Sequence, residues 1–170
     1  MAFELRKWLN SDADSVAKYA NNINIANNLR NIFPYPYTIK DAKWYVNSCA
    51  SNDEIRQYIR AIVVDGEAVG SIGVLIKDDV YCKSGKIGYW LGEPFWNRGI
   101  ISEAIKQTCD MVFQKYDVIR IFAEPYAGNM GSRKVLEKAG FELEGILKKS
   151  VYKNGAIFDS CIYALIKQLI

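Results

Sequence analysis

Between residues 95 and 105 the sequence FWNRGIISEAI changes its apolar period, and that change constrains the fold more than any other feature of the chain. Residues 86–96, KIGYWLGEPFW, read as a strand. From Ile100 onward Ile101, Ala104, Ile105, Cys109, Val112 and Phe113 recur at helical spacing, with Gly99 at the joint. A further apolar run at 118–123 completes a strand–helix–strand crossover, which joins parallel neighbours in one sheet. In open α/β sheets a ligand sits beyond the carboxyl end of a strand, beside the N-terminus of the next helix. Arg98, Gly99, Ile100, Ile101 and Ser102 occupy that place. The first helical amides have no internal partner, so the joint suits a phosphate, with glycine letting it approach and Arg98 adding charge. A glycine there is equally a plain turn residue and the arginine plain surface charge, and the stretch alone leaves both readings open.

The remaining elements fall around this crossover. Phe3 to Leu9 reads as a strand, and Ser11, Asp12 and Asp14 as the cap and first turn of a helix through Tyr19; a short helical stretch follows at 25–31. FPYPYT, residues 33–38, is a proline-aromatic loop, after which Thr38 and Asp41 form a capping-box pattern for a helix over 39–50. Residues 57–64 and 68–76 form a hairpin turned by Asp65-Gly66; 129–139 is a helix, and 141–151 with 156–165 a second hairpin turned by Asn154-Gly155. This order predicts an α/β fold: one mixed sheet, antiparallel at the front, over a single domain spanning 1–170.

Charge and residue content exclude several functions. The net charge of +3, from 22 Lys and Arg against 19 Asp and Glu, is scattered, giving no stripe for nucleic acid and no polybasic patch for a membrane. No apolar stretch approaches a bilayer span, and MAFELRKWLN lacks a signal-peptide core. The four cysteines show no CxxC spacing, which points to a reducing cytoplasm without disulfides. There are 0 histidines, so Ser-His and Cys-His chemistry is excluded and a metal is not expected.

A second segment, NMGSRKVLEKAGF at 129–141, narrows the function. Together with WNRGIISEA, FPYPYT, IGYWLG and the tail Gly145…Asn154-Gly155…Asp159…Tyr163, it resembles the GCN5-related N-acetyltransferases, and within them the branch of bacterial ribosomal-protein N-terminal acetyltransferases. The resemblance implies that family's fold: a mostly antiparallel sheet flanked by helices, with a V-shaped splay between the fourth and fifth strands. It implies acetyl-CoA as co-substrate, without a metal. Arg98 to Ser102 would cradle the pyrophosphate, and Trp90, Leu91 and Gly92 would lie along the pantetheine arm, with the Leu91 N–H as oxyanion donor. Asn129 would bond that arm, and Ser132 would stand near the sulfur as candidate proton donor to the leaving thiolate.

Two positions depart from the family pattern. Ile101 stands where a small residue is usual, which is expected to narrow the space beside the phosphates. Val151 stands where the ribosomal-protein enzymes carry a glutamate proposed as general base. Glu93 and Glu124, each ending a strand beside the splay, are the candidates to replace it, whereas Glu103 and Glu137 read as surface or capping groups. Phe33, Tyr35, Tyr37 and Trp44 are the candidate acceptor pocket, with core packing the competing reading. The expected reaction is direct acetyl transfer to a primary amine, a protein N-terminus foremost. A small-molecule amine and a non-catalytic acyl-CoA-binding module remain the alternatives. The sequence fixes neither the acceptor nor the oligomeric state, a homodimer being one option.

Overall fold

A computed structural model describes residues 1–169. Seven strands form one sheet: β1 (Glu4–Arg6), β2 (Gln57–Val64), β3 (Glu67–Ile76), β4 (Ser84–Leu91), β5 (Arg120–Ala123), β6 (Glu142–Lys153) and β7 (Ala156–Ile166). Their spatial order is β1-β2-β3-β4-β5-β7-β6, antiparallel except where β4 meets β5. Helices α1 (Ala13–Ala20), α2 (Ile23–Ala26) and α3 (Ile39–Ala50) cover one face, and α4 (Ile100–Lys115) and α5 (Met130–Lys138) the other. This is the mixed α/β sheet expected from the element order.

Local chemistry accounts for the element ends. The Thr38 Oγ1 accepts from Asp41 N at 3.2 Å while Asp41 Oδ2 accepts from Thr38 N at 2.8 Å, so the capping box that starts α3 is present. Both expected hairpin turns take the left-handed conformation at both residues, Asp65 and Gly66 at φ 49° and 83°, Asn154 and Gly155 at 53° and 77°. Several boundaries differ from expectation: β1 is Glu4–Arg6 within the expected 3–9, and α2 is Ile23–Ala26 in place of 25–31. β4 stops at Leu91 instead of running to Trp96, because Pro94 lies in a 3-10 turn, Glu93–Phe95, that leads into the Gly99 loop.

The sheet separates two cores. Along β4, Ile87, Tyr89 and Leu91 face the core under α4 and α5, and Trp90 faces that under α1 to α3. α4 is anchored by Ile100, Ala104, Ile105, Cys109 and Val112, all almost fully buried on one helical stripe. Cys161 lies in the same core. Burying each large side chain is worth roughly 1.5–3 kcal/mol, which fixes the N-terminus of α4 against the end of β4.

The parallel contact between β4 and β5 is short. Ser84, Gly85 and Lys86 pair with Arg120, Ile121 and Phe122, and there the strands part. Beyond Ala123 the chain keeps its bonds to β7: the Pro125 carbonyl accepts from Cys161 N at 2.8 Å. Ala127 N then bonds Asp159 O at 2.9 Å, so the chain beyond β5 follows β7 and leaves β4.

Candidate active site

The splay leaves one edge of β4 open. Gly92 N donates to Val69 O at 2.7 Å, and Leu91 is the partner of Gly70 in the register, which fixes the phase of the β3–β4 ladder. Trp90 and Gly88 therefore spend their backbone groups on β3, and the N–H groups of Tyr89 and Leu91 point to the side where β5 has departed. The Leu91 carbonyl on that side accepts from Trp96 Nε1 at 2.7 Å, which ties the Gly99 loop to the strand end. Its N–H has no partner among the described residues and can meet a ligand oxygen.

A cleft of about 860 Å3 runs along this edge, within the size range of small-molecule sites. At one end is the start of α4. Asn97 and Gly99 both have positive φ, 58° and 77°, and a Cβ on Gly99 would meet nothing within 4 Å, so the loop leaves open space over the helix. No side chain caps α4, and the first backbone bond across its start is Glu103 N to Gly99 O. The amides of Ile100, Ile101 and Ser102 thus have no bond partner among the described residues, an arrangement that attracts an anion. The Ser102 hydroxyl turns to Gly99 O at 3.1 Å. Ile101 packs against the core below α4 and also lines the cleft beside this loop.

The middle of the cleft carries hydroxyls. Asn129 caps α5, its Oδ1 accepting from Ser132 N at 3.1 Å, and Ser132 Oγ lies 2.7 Å from the Tyr89 hydroxyl. Burial pushes the Tyr89 phenol up to about 12, so it keeps its proton. Sequence reasoning passed over Tyr89, although strand alternation places it with Ile87 and Leu91 on the α5 side.

The other end differs from expectation. Of the proposed aromatic pocket, Trp44 is 67% exposed on the outer side of α3 and Tyr35 is 52% exposed; neither lines the cleft. Phe33 and Tyr37 pack on each other at 4.9 Å, and Phe33 on Trp90 at 5.9 Å, so they support the cleft floor from behind. Asn24, Asn28 and Arg30, from α2 and the turn after it, line this end with Tyr126. Arg30 is close enough for its charge to work against the burial that raises the Tyr126 phenol. Lys153, 7% exposed at the tip of the β6–β7 hairpin, donates to Ala26 O at 2.6 Å and to Leu29 O, locking α2 to that hairpin.

The candidate bases part company. Glu124 lines the cleft and pairs with Lys86 at 3.3 Å. Glu93 does not line it: Asn22 donates to its carboxylate at 2.6 Å and Asn24 at 3.2 Å, and these bonds, Asn22's first, hold its carboxyl below the usual range. Gly92 also lies off the cleft, against Tyr19. Val151 pairs with Phe158 and takes no part in the lining. Glu137 accepts from Tyr163 at 2.9 Å, a structural role. Among the described residues no cluster of three or more acidic, Cys or His side chains could hold a metal, and no helix is long and apolar enough to cross a membrane.

Comparison with known proteins supplies the context. Residues 3–142 match the acetyltransferase (GNAT) domain. The N-acetyltransferase YdaF of Bacillus subtilis is 33% identical over 107 residues, 63% of this chain and 58% of YdaF. The ribosomal-protein-serine acetyltransferase of Escherichia coli is 36% identical over 84 residues, 49% of this chain and 47% of that protein. These matches thus span about half the length of the relatives. A structure of RimL, the ribosomal L7/L12 α-N-protein acetyltransferase, in complex with coenzyme A superimposes with a TM-score of 0.85 at 23% identity, covering 98% of this chain and 94% of that one.

Proposed function

The chain belongs to the GNAT acetyltransferases, and on that premise we propose that it transfers the acetyl group of acetyl-CoA to a primary amine, the α-amine of a protein N-terminus foremost. The observation that carries this reading is one continuous cleft with three kinds of donor in sequence. Free helix amides come first, a free strand edge next, and the Ser132 hydroxyl last.

That sequence fits the parts of acetyl-CoA. The amides of Ile100 to Ser102, with Arg98 beside them, suit the pyrophosphate. The open edge of β4 and the side chain of Asn129 suit the amide-bearing pantetheine arm, which would hydrogen-bond as an added strand. The Leu91 N–H then stands where the thioester oxygen gains charge as the amine attacks, and a donor fixed in advance lowers that barrier. Ser132 faces the sulfur. The acceptor would enter between α2, Tyr126 and the Lys86–Glu124 pair. The protein-amine preference is supported by the names of two relatives, the E. coli ribosomal-protein-serine acetyltransferase and RimL.

Thiol release from acetyl-CoA over a panel of short peptides, polyamines and amino sugars tests the proposal. Faster turnover with peptides bearing a free α-amine is the expected result. Turnover confined to small-molecule amines would overturn the acceptor, and CoA binding without thiol release from any amine would overturn the transfer itself. Ser132→Ala should lower kcat more than it raises KM for acetyl-CoA, because its contact strengthens as charge develops on sulfur.

A further inference from the structure

We propose that Tyr89 is a positioning residue: it donates into Ser132 and thereby aims the serine's single proton at the leaving sulfur, so that the two hydroxyls form one hydrogen-bond donor chain to the thiolate. The inference rests on the acetyl-transfer reading above and deepens it.

Three observations carry it. Tyr89 stands in the part of β4 that has lost β5, and both it and Ser132 line the cleft. Their hydroxyl oxygens are 2.7 Å apart, and among the described residues neither oxygen has another hydrogen-bond partner. The backbone of Ser132 is fixed from the other side by Asn129 Oδ1.

A serine hydroxyl has one proton and two lone pairs. If Ser132 donated to Tyr89, that proton would be spent inside the protein. With Tyr89 as donor, the phenol proton fills a serine lone pair and the serine proton is free for the cleft. Burial keeps the phenol neutral, which is the state this order needs. The same chemistry shows that neither group serves as an acid. A thiol with a pKa near ~8.5 is a far stronger acid than a buried phenol, so a thiolate would not strip either hydroxyl. As the N–C bond forms and the C–S bond breaks, the electron pair goes to sulfur and the ammonium proton to solvent. Tyr89 and Ser132 keep their protons throughout. Ser132 is therefore a hydrogen-bond donor to sulfur, which replaces the proton-donor role expected from sequence.

The test uses the thiol of bound CoA, titrated by the ultraviolet absorbance of its thiolate, in wild type, Tyr89→Phe, Ser132→Ala and the double variant. A donor chain stabilises the thiolate, so the bound thiol should be more acidic than free CoA in wild type. Both single variants should return it toward the free value by similar amounts, and the double variant no further. In turnover, each single substitution should lower kcat about 10-fold, with the double close to either single and CoA affinity held within about twofold. Ser132→Thr, which keeps a hydroxyl, should restore most of the loss. Wild-type titration in Tyr89→Phe, or losses that multiply in the double variant, would overturn the proposal. Should wild type bind CoA yet release no thiol with any amine, the transfer reading falls, while the titration still decides the donor chain.

Discussion

The two ends of the cleft are built from different materials. Toward α4 the groups that face a ligand are backbone: the amides of Ile100 to Ser102 and the N–H groups of Tyr89 and Leu91, held by a well-buried helix and a ladder to β3. Toward α2 they are side chains, Asn24, Asn28, Arg30, Tyr126, Lys86 and Glu124, carried by a four-residue helix and the turn after it, by β4 and by the chain just beyond β5. A backbone-lined site is rigid and indifferent to most substitutions, whereas a site lined by side chains can change its ligand without changing the fold. The first end suits a co-substrate common to many enzymes, and the second an acceptor that differs among them.

The largest test of that division is Gly99→Val. At φ 77° a β-branched residue is strained, and its side chain would fill the open space over the α4 amides. Acetyl-CoA affinity by calorimetric titration should fall on the order of 100-fold, about 2.7 kcal/mol. Gly99→Asn separates the causes, since asparagine tolerates the left-handed conformation but still occupies the space. Retained melting temperature with lost affinity in that variant assigns the space to the ligand. Undiminished affinity in both would mean that the loop does not hold the co-substrate.

An intermediate effect is expected at the other end. Lys153→Met removes the ammonium that ties Ala26 O and Leu29 O to the β6–β7 hairpin, leaving Leu29 O without that donor and Ala26 O with the bond from Leu29 N at 3.2 Å. We expect a stability loss of about 1–3 kcal/mol and an acceptor KM raised about 10-fold. The dissociation constant for acetyl-CoA should stay within about twofold of wild type. Equal weakening of both ligands would show that the two ends are mechanically one.

The same division decides how much could be read from the sequence. The backbone end was legible because it is written in local rules: a glycine where a strand meets a helix, an N-x-x-S pattern opening α5, and dipeptide turns whose left-handed residues are present as expected. Where local rules were misapplied the signal was still there. Ala42 and Val46 are four apart and buried, which puts Trp44, midway between them, on the outer side of α3. Tyr89 is two residues from both Ile87 and Leu91, the alternation that turns it toward Ser132. The acceptor end gave a weaker signal, a helical stretch expected at 25–31 that forms instead at Ile23–Ala26. Residues 21–31, NNINIANNLRN, show no clear period, and α2 is held by Lys153, more than a hundred residues away in the chain. Only long-range packing places them.

The smallest effect concerns the base. The chain has 0 histidines, the Glu93 carboxyl is held below its usual range by Asn22 and Asn24, and burial keeps the Tyr89 phenol up at about 12. Glu93 is thus ionised and Tyr89 protonated across neutral pH, and neither changes charge there. On this reading the titration that governs the rate is the acceptor's own, near ~8 for an α-amine and ~10.4 for a lysine, and only the deprotonated amine attacks. We therefore expect kcat/KM to rise with pH and level off at the amine's pKa, at different pH for an N-terminal peptide and for a lysine peptide blocked at its α-amine. Glu93→Gln and Glu124→Gln should each change the plateau by less than about threefold, since neither supplies the proton acceptor. The comparison breaks if both acceptors show the same inflection near ~6–7 and Glu124→Gln abolishes it. A carboxylate beside Lys86 would then be the base, and the end lined by side chains would carry chemistry as well as choice of acceptor.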